Sequence, residues 1–399
     1  MKAGATSRTV AVKLHICLNE ALYYFSFTLW YAGEIVFNTS TKTFIGIDVF
    51  TLGSMISGLV FALLMIQILF LQKYEPKTLL IICLITFFMA LSVLLSGNRQ
   101  IFAMWMFVVA AKEISFERVI RIAKALLILG LSITFLLCFL GILEDVVLYS
   151  HSHGTFRHTL GFIHPNLLGM RVFQLVLCVI YTHRDQIRFR DYVLIISAVC
   201  FCWIFPNCRT ATVALMILFV MLLLYKRMDS GRKKRGDAFS SFMITGAVSA
   251  NMISIALSLV DISKNSVFLL LDKAAQNRFA WGHLVYGIFG VSVFGQRIRL
   301  ASTEERIAGM SNDLFLDNAY FHILLKYGIV TFIIFSTLYI TGMSYFKQKG
   351  ERMMTLILFM YSVYGIMETG MFLLQYNVFL ISLGAVLFHR LYAREGYVQ

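Results

Sequence analysis

The stretch Arg157-His158-Thr159-Leu160-Gly161-Phe162-Ile163-His164-Pro165-Asn166-Leu167-Leu168-Gly169 sets Arg, His, Asn and Pro side by side between two long apolar runs, 125–142 and 165–183. Polar and ionisable groups are costly among lipid-facing helices and are rarely kept there without a use. The surroundings of this stretch decide the fold. Comparable apolar runs cover 14–37, 49–71, 78–96, 99–111, 192–206, 209–225, 239–262, 318–345, 353–372 and 375–391. Most have the length of about 18–25 residues that a helix needs to cross a bilayer; the run at 99–111 is short. With 59% hydrophobic and only 14% charged residues, the chain reads as all-α: a polytopic integral membrane helical bundle of about twelve transmembrane helices. Residues 1–142 form its N-terminal helices, 143–391 the region that carries the polar motifs, and 392–399 a tail. The first apolar run lacks a small-residue cleavage site and reads as a retained span.

Net charge is +14, which in a soluble protein would suggest nucleic acid. Here most basic residues sit in short loops and alternate from one loop to the next. Lys2, Arg8 and Lys13; Lys73 and Lys77; Lys112, Arg118, Arg121 and Lys124; Arg184, Arg188 and Arg190; Lys226 to Arg235; Lys347, Lys349 and Arg352; and Arg390 and Arg394 fall on one side. By the positive-inside rule that side is cytoplasmic, with both termini inside, and the charge serves topology and anionic lipid. The GRKKRG run at 231–236 is a topology anchor on this reading. Lys112 to Lys124 reads as a basic amphipathic stretch on the inner leaflet. The cysteines, seven in all, lie mainly inside apolar runs as small hydrophobes, and Cys200-Phe201-Cys202 has neither the spacing nor the partners of a zinc site.

A second set of basic residues breaks the bias. Arg157, Arg171, Arg209, Lys264, Lys273, Arg278, Arg297, Arg299 and Arg306, with His151, His153, His158, His164 and His283, fall at the outer face. Binding an anion is the simplest benefit that offsets this placement. Two outer loops are long, 143–164 and 263–317, and loops of that length are commonly functional. The second carries Trp281, Phe289, Val291 and Phe294 at amphipathic spacing, which predicts an interfacial or re-entrant helix. Pro165 suits the first turn of a helix, leaving Asn166 and free backbone donors where an anion would sit. Arg171 lies about one turn deeper. Arg209 opens a helix, where the dipole disfavours a cation unless something negative lies nearby. Asp317 reads as a helix cap or a functional carboxylate, and Glu368, inside an apolar run, predicts pairing with one of the arginines.

Taken in order, Arg157…Gly161-Phe162-x-His164-Pro165-Asn166, Asn207-x-Arg209-Thr210, Arg278-x-x-Trp281, Asp317-Asn318-x-Tyr320…Gly328 and Glu368 resemble the motifs of the O-antigen polymerase and ligase-like membrane proteins. Within that group they are similar to the Wzy-type repeat-unit polymerases of capsule and exopolysaccharide systems. The match runs over residues 150–380. It departs at Asp317-Asn318, where ligases show His-Asn, and this favours a polymerase. The resemblance implies a bacterial cytoplasmic-membrane glycosyltransferase with its active site on the outer face. It would join undecaprenyl-diphosphate-linked oligosaccharides by a metal-independent, inverting transfer that needs no cofactor. Membrane lipid, a chain-length regulator and a flippase would be its partners, and nucleic acid would not. In that chemistry Arg157, Arg209 and Arg278, with Arg171 behind them, neutralise the leaving diphosphate. Asp317 or His164 takes the acceptor proton, Asn166, Asn318 and Tyr320 position sugar or phosphate, and Glu368 orients an arginine. The alternatives are a ligase-like glycan transferase and a lipid-linked oligosaccharide flippase; transporters more often place their ionisable groups near mid-membrane.

Overall fold

The computed structural model describes residues 2–44, 46–150, 154–229, 233–261, 266–301 and 314–388. His151, His153, Lys264, Arg306, Gly231, Arg232, Arg390, Arg394 and the tail at 392–399 therefore lie outside the described residues. The chain is mostly helical. Helix α1 (Lys2–Val36) leads by a short antiparallel hairpin, β1 (Thr43–Phe44) and β2 (Ile47–Asp48), into α2 (Val49–Ile66), which runs on with a wider turn to Leu71. There follow α3 (Pro76–Ser96), α4 (Gln100–Ala110) and α5 (Phe116–Phe139). A second hairpin, β3 (Leu148–Ser150) with β4 (Thr155–Arg157), precedes α6 (Pro165–Thr182), α7 (Phe189–Ile204), α8 (Arg209–Asp229) and α9 (Lys233–Leu259). Two shorter helices, α10 (Ser266–Ala274) and α11 (Arg278–Phe289), occupy the predicted long loop. The segment 319–348 combines α12 (Ala319–His322), a wide turn (Ile323–Tyr327) and α13 (Gly328–Gln348), and α14 (Arg352–Tyr364) follows.

Among the described residues seven helices are long and apolar enough to cross a membrane: Val49–Leu71, Pro76–Ser96, Phe116–Phe139, Pro165–Thr182, Arg209–Met228, Gly236–Leu259 and Ala319–Gln348. Their outer faces are apolar; on α3, Leu80, Phe87 and Leu94 all point away from the protein. Apolar surface of this extent is compatible with a membrane protein whose solvent there is lipid.

Three expectations need correction. The 99–111 run forms α4, whose eleven residues reach about 16 Å, roughly half of a bilayer core. It is buried almost throughout. The runs 353–372 and 375–391 are not two continuous spans. After α14 ends at Tyr364 the chain turns through Thr369–Met371, and the return stretch Val378–Leu383 is a 3-10 helix before one turn of α15 (Gly384–Phe388). Nearly every residue from 370 to 385 is buried. Hydropathy does not distinguish a segment packed inside protein from one facing lipid, and irregular backbone is tolerated at membrane depth only in the former setting. Finally, Lys112–Lys124 is no separate surface helix. Ser115 caps α5 by accepting from the Arg118 N–H at 3.4 Å, and Val119, Ile120, Ala123 and Leu127 continue one buried stripe into the long helix.

The short connections collect at two ends of the bundle. At one end Lys124 Nζ donates to Thr182 Oγ1 at 3.1 Å, Arg184 pairs with Glu117 at 3.4 Å and Lys347 Nζ donates to Ser241 Oγ at 2.7 Å. These are residues of the set read as cytoplasmic. At the other end Thr39 pairs with Phe162, the Ser40 N–H donates to Gly161 O at 2.8 Å, and the Ala319 N–H donates to Gly365 O at 2.9 Å. The long loop is tied down there as well. Ile329 and Val330 donate backbone N–H bonds to Ser292 O and Val293 O, both at 3.0 Å. Gly328 permits that crossing: its φ is +89°, and a Cβ would stand 2.4 Å from the Gly295 nitrogen.

Candidate functional site

The polar site is built at the second end from four separated segments. Pro165 opens α6 as predicted, and His164 caps it, its Nδ1 accepting from the Asn166 N–H at 3.1 Å. That bond fixes the Asn166 side chain in front of the helix. Its Nδ2 donates to Glu368 Oε1 at 2.9 Å, while its Oδ1 accepts from Arg157 Nη2. Arg157, at the end of β4, also donates from Nε to Pro206 O at 3.2 Å, binding the hairpin to the turn before α8.

Arg278 completes the network from the long loop. It begins α11 directly after Asn277, which holds a left-handed φ of +61°. The start of α11 is anchored by Asp272, which accepts from the Phe279 N–H at 2.9 Å and the Ala280 N–H at 3.3 Å. The guanidinium forks: Nη2 donates to Glu368 Oε1 at 2.8 Å, and Nη1 pairs with Asp317. Burial works against the charge of Arg278, yet the carboxylates of Glu368 and Asp317 outweigh it and raise its pKa. The two acids differ in access. The Glu368 side chain is 6% exposed and that of Asp317 35%, so only Asp317 presents an oxygen to an incoming molecule.

Arg209 stands apart. It opens α8, is half-buried, and has no carboxylate or hydrogen-bond partner among the described residues. Its neighbour Cys208 is fully packed into the site. Burial, and then the Glu368 carboxylate, push the Cys208 thiol up to about 11. Gly169 permits that approach, for a Cβ there would lie 2.6 Å from Cys208 Sγ. The role of Gly169 was not legible in advance, although the residue closes the quoted motif.

The remaining sequence candidates are engaged elsewhere. Arg171 is fully buried in the core, where Nη1 donates to Gln375 O and Nη2 to Glu34 O at 2.8 Å, with its guanidinium 4.7 Å from the Tyr376 ring centre. It ties α1, α6 and the 365–377 segment together rather than facing a ligand. Asn318 caps α12 by accepting from the Phe321 N–H at 3.2 Å, and its amide nitrogen donates to Ser258 Oγ at 3.3 Å. Tyr320 is buried and donates to Ser362 O at 2.8 Å. Trp281 packs edge-on against Phe315, their rings 5.1 Å apart, which closes the loop over itself. Arg171→Ala should therefore cost on the order of 3 kcal/mol, because two buried carbonyls lose their donor. Thermal unfolding in detergent reads that loss, while activity per folded molecule stays at the wild-type level.

An acid in the 143–164 loop went unnoticed in the sequence. Asp145 accepts from the Thr159 and Leu160 N–H groups, both at 2.8 Å, and from His158 Nδ1 at 2.6 Å. Although partial burial opposes it, these bonds, with that from His158 the largest, hold the Asp145 carboxyl below the usual range. They fix the turn at Leu160, where φ is +48°, and so aim the 161–166 segment. Compared with protein-family models, with curated proteins and with solved structures, the chain matches none.

Proposed function

We propose that this chain is a bacterial membrane glycosyltransferase of the polymerase type. It transfers a growing glycan from a lipid diphosphate carrier onto a second lipid-linked repeat unit at the outer face of the cytoplasmic membrane. The observation that carries this reading is the buried Arg278 fork, with one arm on Glu368 and the other on the accessible Asp317. A diphosphate leaving group needs charge neutralisation more than protonation, and arginine supplies that charge permanently and bidentately. In the proposed step the acceptor hydroxyl oxygen attacks the anomeric carbon of the donor sugar. The bond from that carbon to the diphosphate oxygen breaks, and its electron pair leaves on the diphosphate toward Arg278 and Arg209. The hydroxyl proton passes to Asp317.

Asp317 suits the role of base better than His164. The His164 Nδ1 lone pair is spent on the Asn166 N–H, so the neutral imidazole carries its proton on Nε2 and donates there. Arrival of the diphosphate at Nη1 of Arg278 would free Asp317 for the acceptor, while Glu368 keeps the guanidinium in place. Arg157 and Asn166 form the facing wall. A metal-independent, inverting reaction belongs to the same proposal.

Purified protein in a bilayer, given a synthetic undecaprenyl-diphosphate-linked repeat, should produce a ladder of polymer in the presence of chelator. Absence of any chain extension by a folded preparation would overturn the polymerase reading. Transfer to a foreign glycan acceptor without self-extension would point to a ligase instead.

A further inference from the structure

A cleft of about 1230 Å3 opens in the N-terminal part of the bundle, where the sequence carried no motif. It exceeds the roughly 300–1,000 Å3 of ordinary small-molecule pockets. Its depth is apolar, lined by Trp30, Val60, Leu64, Met106 and Phe107 from α1, α2 and α4. On the α2 side the wall is made of Gly53, Ser54, Ser57 and Gly58, whose small side chains leave the space open; a Cβ added at Gly58 would meet nothing within 4 Å. The mouth, at the same end as the arginine site, holds Lys42 and Arg99. Both are exposed, and their side chains have no hydrogen-bond or ion-pair partner among the described residues. Two acids also line the cleft: Asp48, whose Oδ2 accepts from the Thr51 N–H at 3.0 Å, and the half-buried Glu34. Two exposed cations therefore stand at the mouth above an apolar slot.

Two chain segments reach both this cleft and the arginine site. Ile163 lines the cleft one residue before His164, and Gln375 lines it from the segment that brings Glu368 to Arg278. Resting on the transfer reaction proposed above, chemistry then assigns the two basic sites different tasks. The donor's diphosphate must lie at the reacting carbon. The acceptor keeps its own diphosphate, one repeat unit away from the attacking hydroxyl, and needs a separate cationic seat. We propose that the N-terminal cleft holds the hydrocarbon chain of the acceptor's carrier lipid, with its diphosphate at Lys42 and Arg99.

The test is photo-crosslinking of the full chain in nanodiscs with a diazirine-bearing polyprenyl diphosphate, followed by peptide mapping. Label is expected on 49–64 and 100–107, and Gly58→Phe should reduce it at least tenfold. The paired variant Lys42→Ala/Arg99→Ala, which touches no internal bond, should reduce it severalfold and flatten its dependence on salt. An equal mole fraction of phosphatidylglycerol should not compete, and inorganic diphosphate should lower the label no further than the paired variant does. Label confined to other helices, or unchanged in both variants, overturns the assignment. Equal competition by phosphatidylglycerol makes the cleft a seat for ordinary bilayer lipid, and complete displacement by inorganic diphosphate makes it a headgroup site alone; either result also overturns it. Because labelling requires no turnover, a protein that fails to polymerise yet labels as described would refute the polymerase reading and leave the lipid cleft standing.

Discussion

Arg278→Ala should stop polymer formation, lowering turnover by about 10²–10³-fold, the usual loss when one charge-stabilising donor is removed from a reacting centre. It should also weaken the fold. Glu368 and Asp317 now share one guanidinium; without it the buried Glu368 loses that charge partner while keeping the Asn166 amide, at a cost on the order of 3 kcal/mol. Arg278→Lys separates the two effects. A lysine keeps the charge, but a single ammonium does not reproduce the fork that reaches both acids. Stability should recover in part while turnover stays depressed. Gel-based chain-length analysis together with thermal unfolding in the same detergent reads both quantities. A wild-type ladder from folded Arg278→Ala would remove the guanidinium from the reaction.

Arg209→Ala should give the opposite signature: turnover lower by about 10²-fold with the melting temperature unchanged or slightly raised. Arg209 makes no internal bond among the described residues and sits where the helix dipole repels a cation. Its removal breaks no side-chain bond among the described residues, and an arriving anion would offset the unfavourable field at this helix start. The loss should be largest for lipid-diphosphate donors and smaller for donors with a monophosphate leaving group. Unchanged turnover, or a large drop in melting temperature, would show that Arg209 serves the fold instead.

Much of this arrangement was legible before the fold was known, because charges among apolar runs stand out. Arg157, Asn166, Arg278, Asp317 and Glu368 were all singled out as polar outliers, and the pairing of Glu368 with an arginine was anticipated. What the pattern could not supply was direction. Five residues along an α-helix turn through about 500°, so Arg171 points well away from Asn166 and into the core. Asp317 and Asn318 are neighbours, yet one faces the site and the other caps a helix inward. The seat of Glu368 was mistaken for a plain span, since a stretch buried in protein is as apolar as one buried in lipid. Nor did composition reveal the N-terminal cleft, which depends on what is missing from one face of α2.

The Arg278–Glu368 bond joins residues separated by 90 positions, and those positions are made in order. During biosynthesis the guanidinium leaves the ribosome long before its counter-ion, with Asp317 between them in time. A nascent chain therefore holds this cation with Asp317 as the first acid of the fork until α14 and the turn after it have been made. The last partner to arrive, Glu368, completes the fork. On the proposed function, the arrival of the 365–377 segment is thus the step that completes the site.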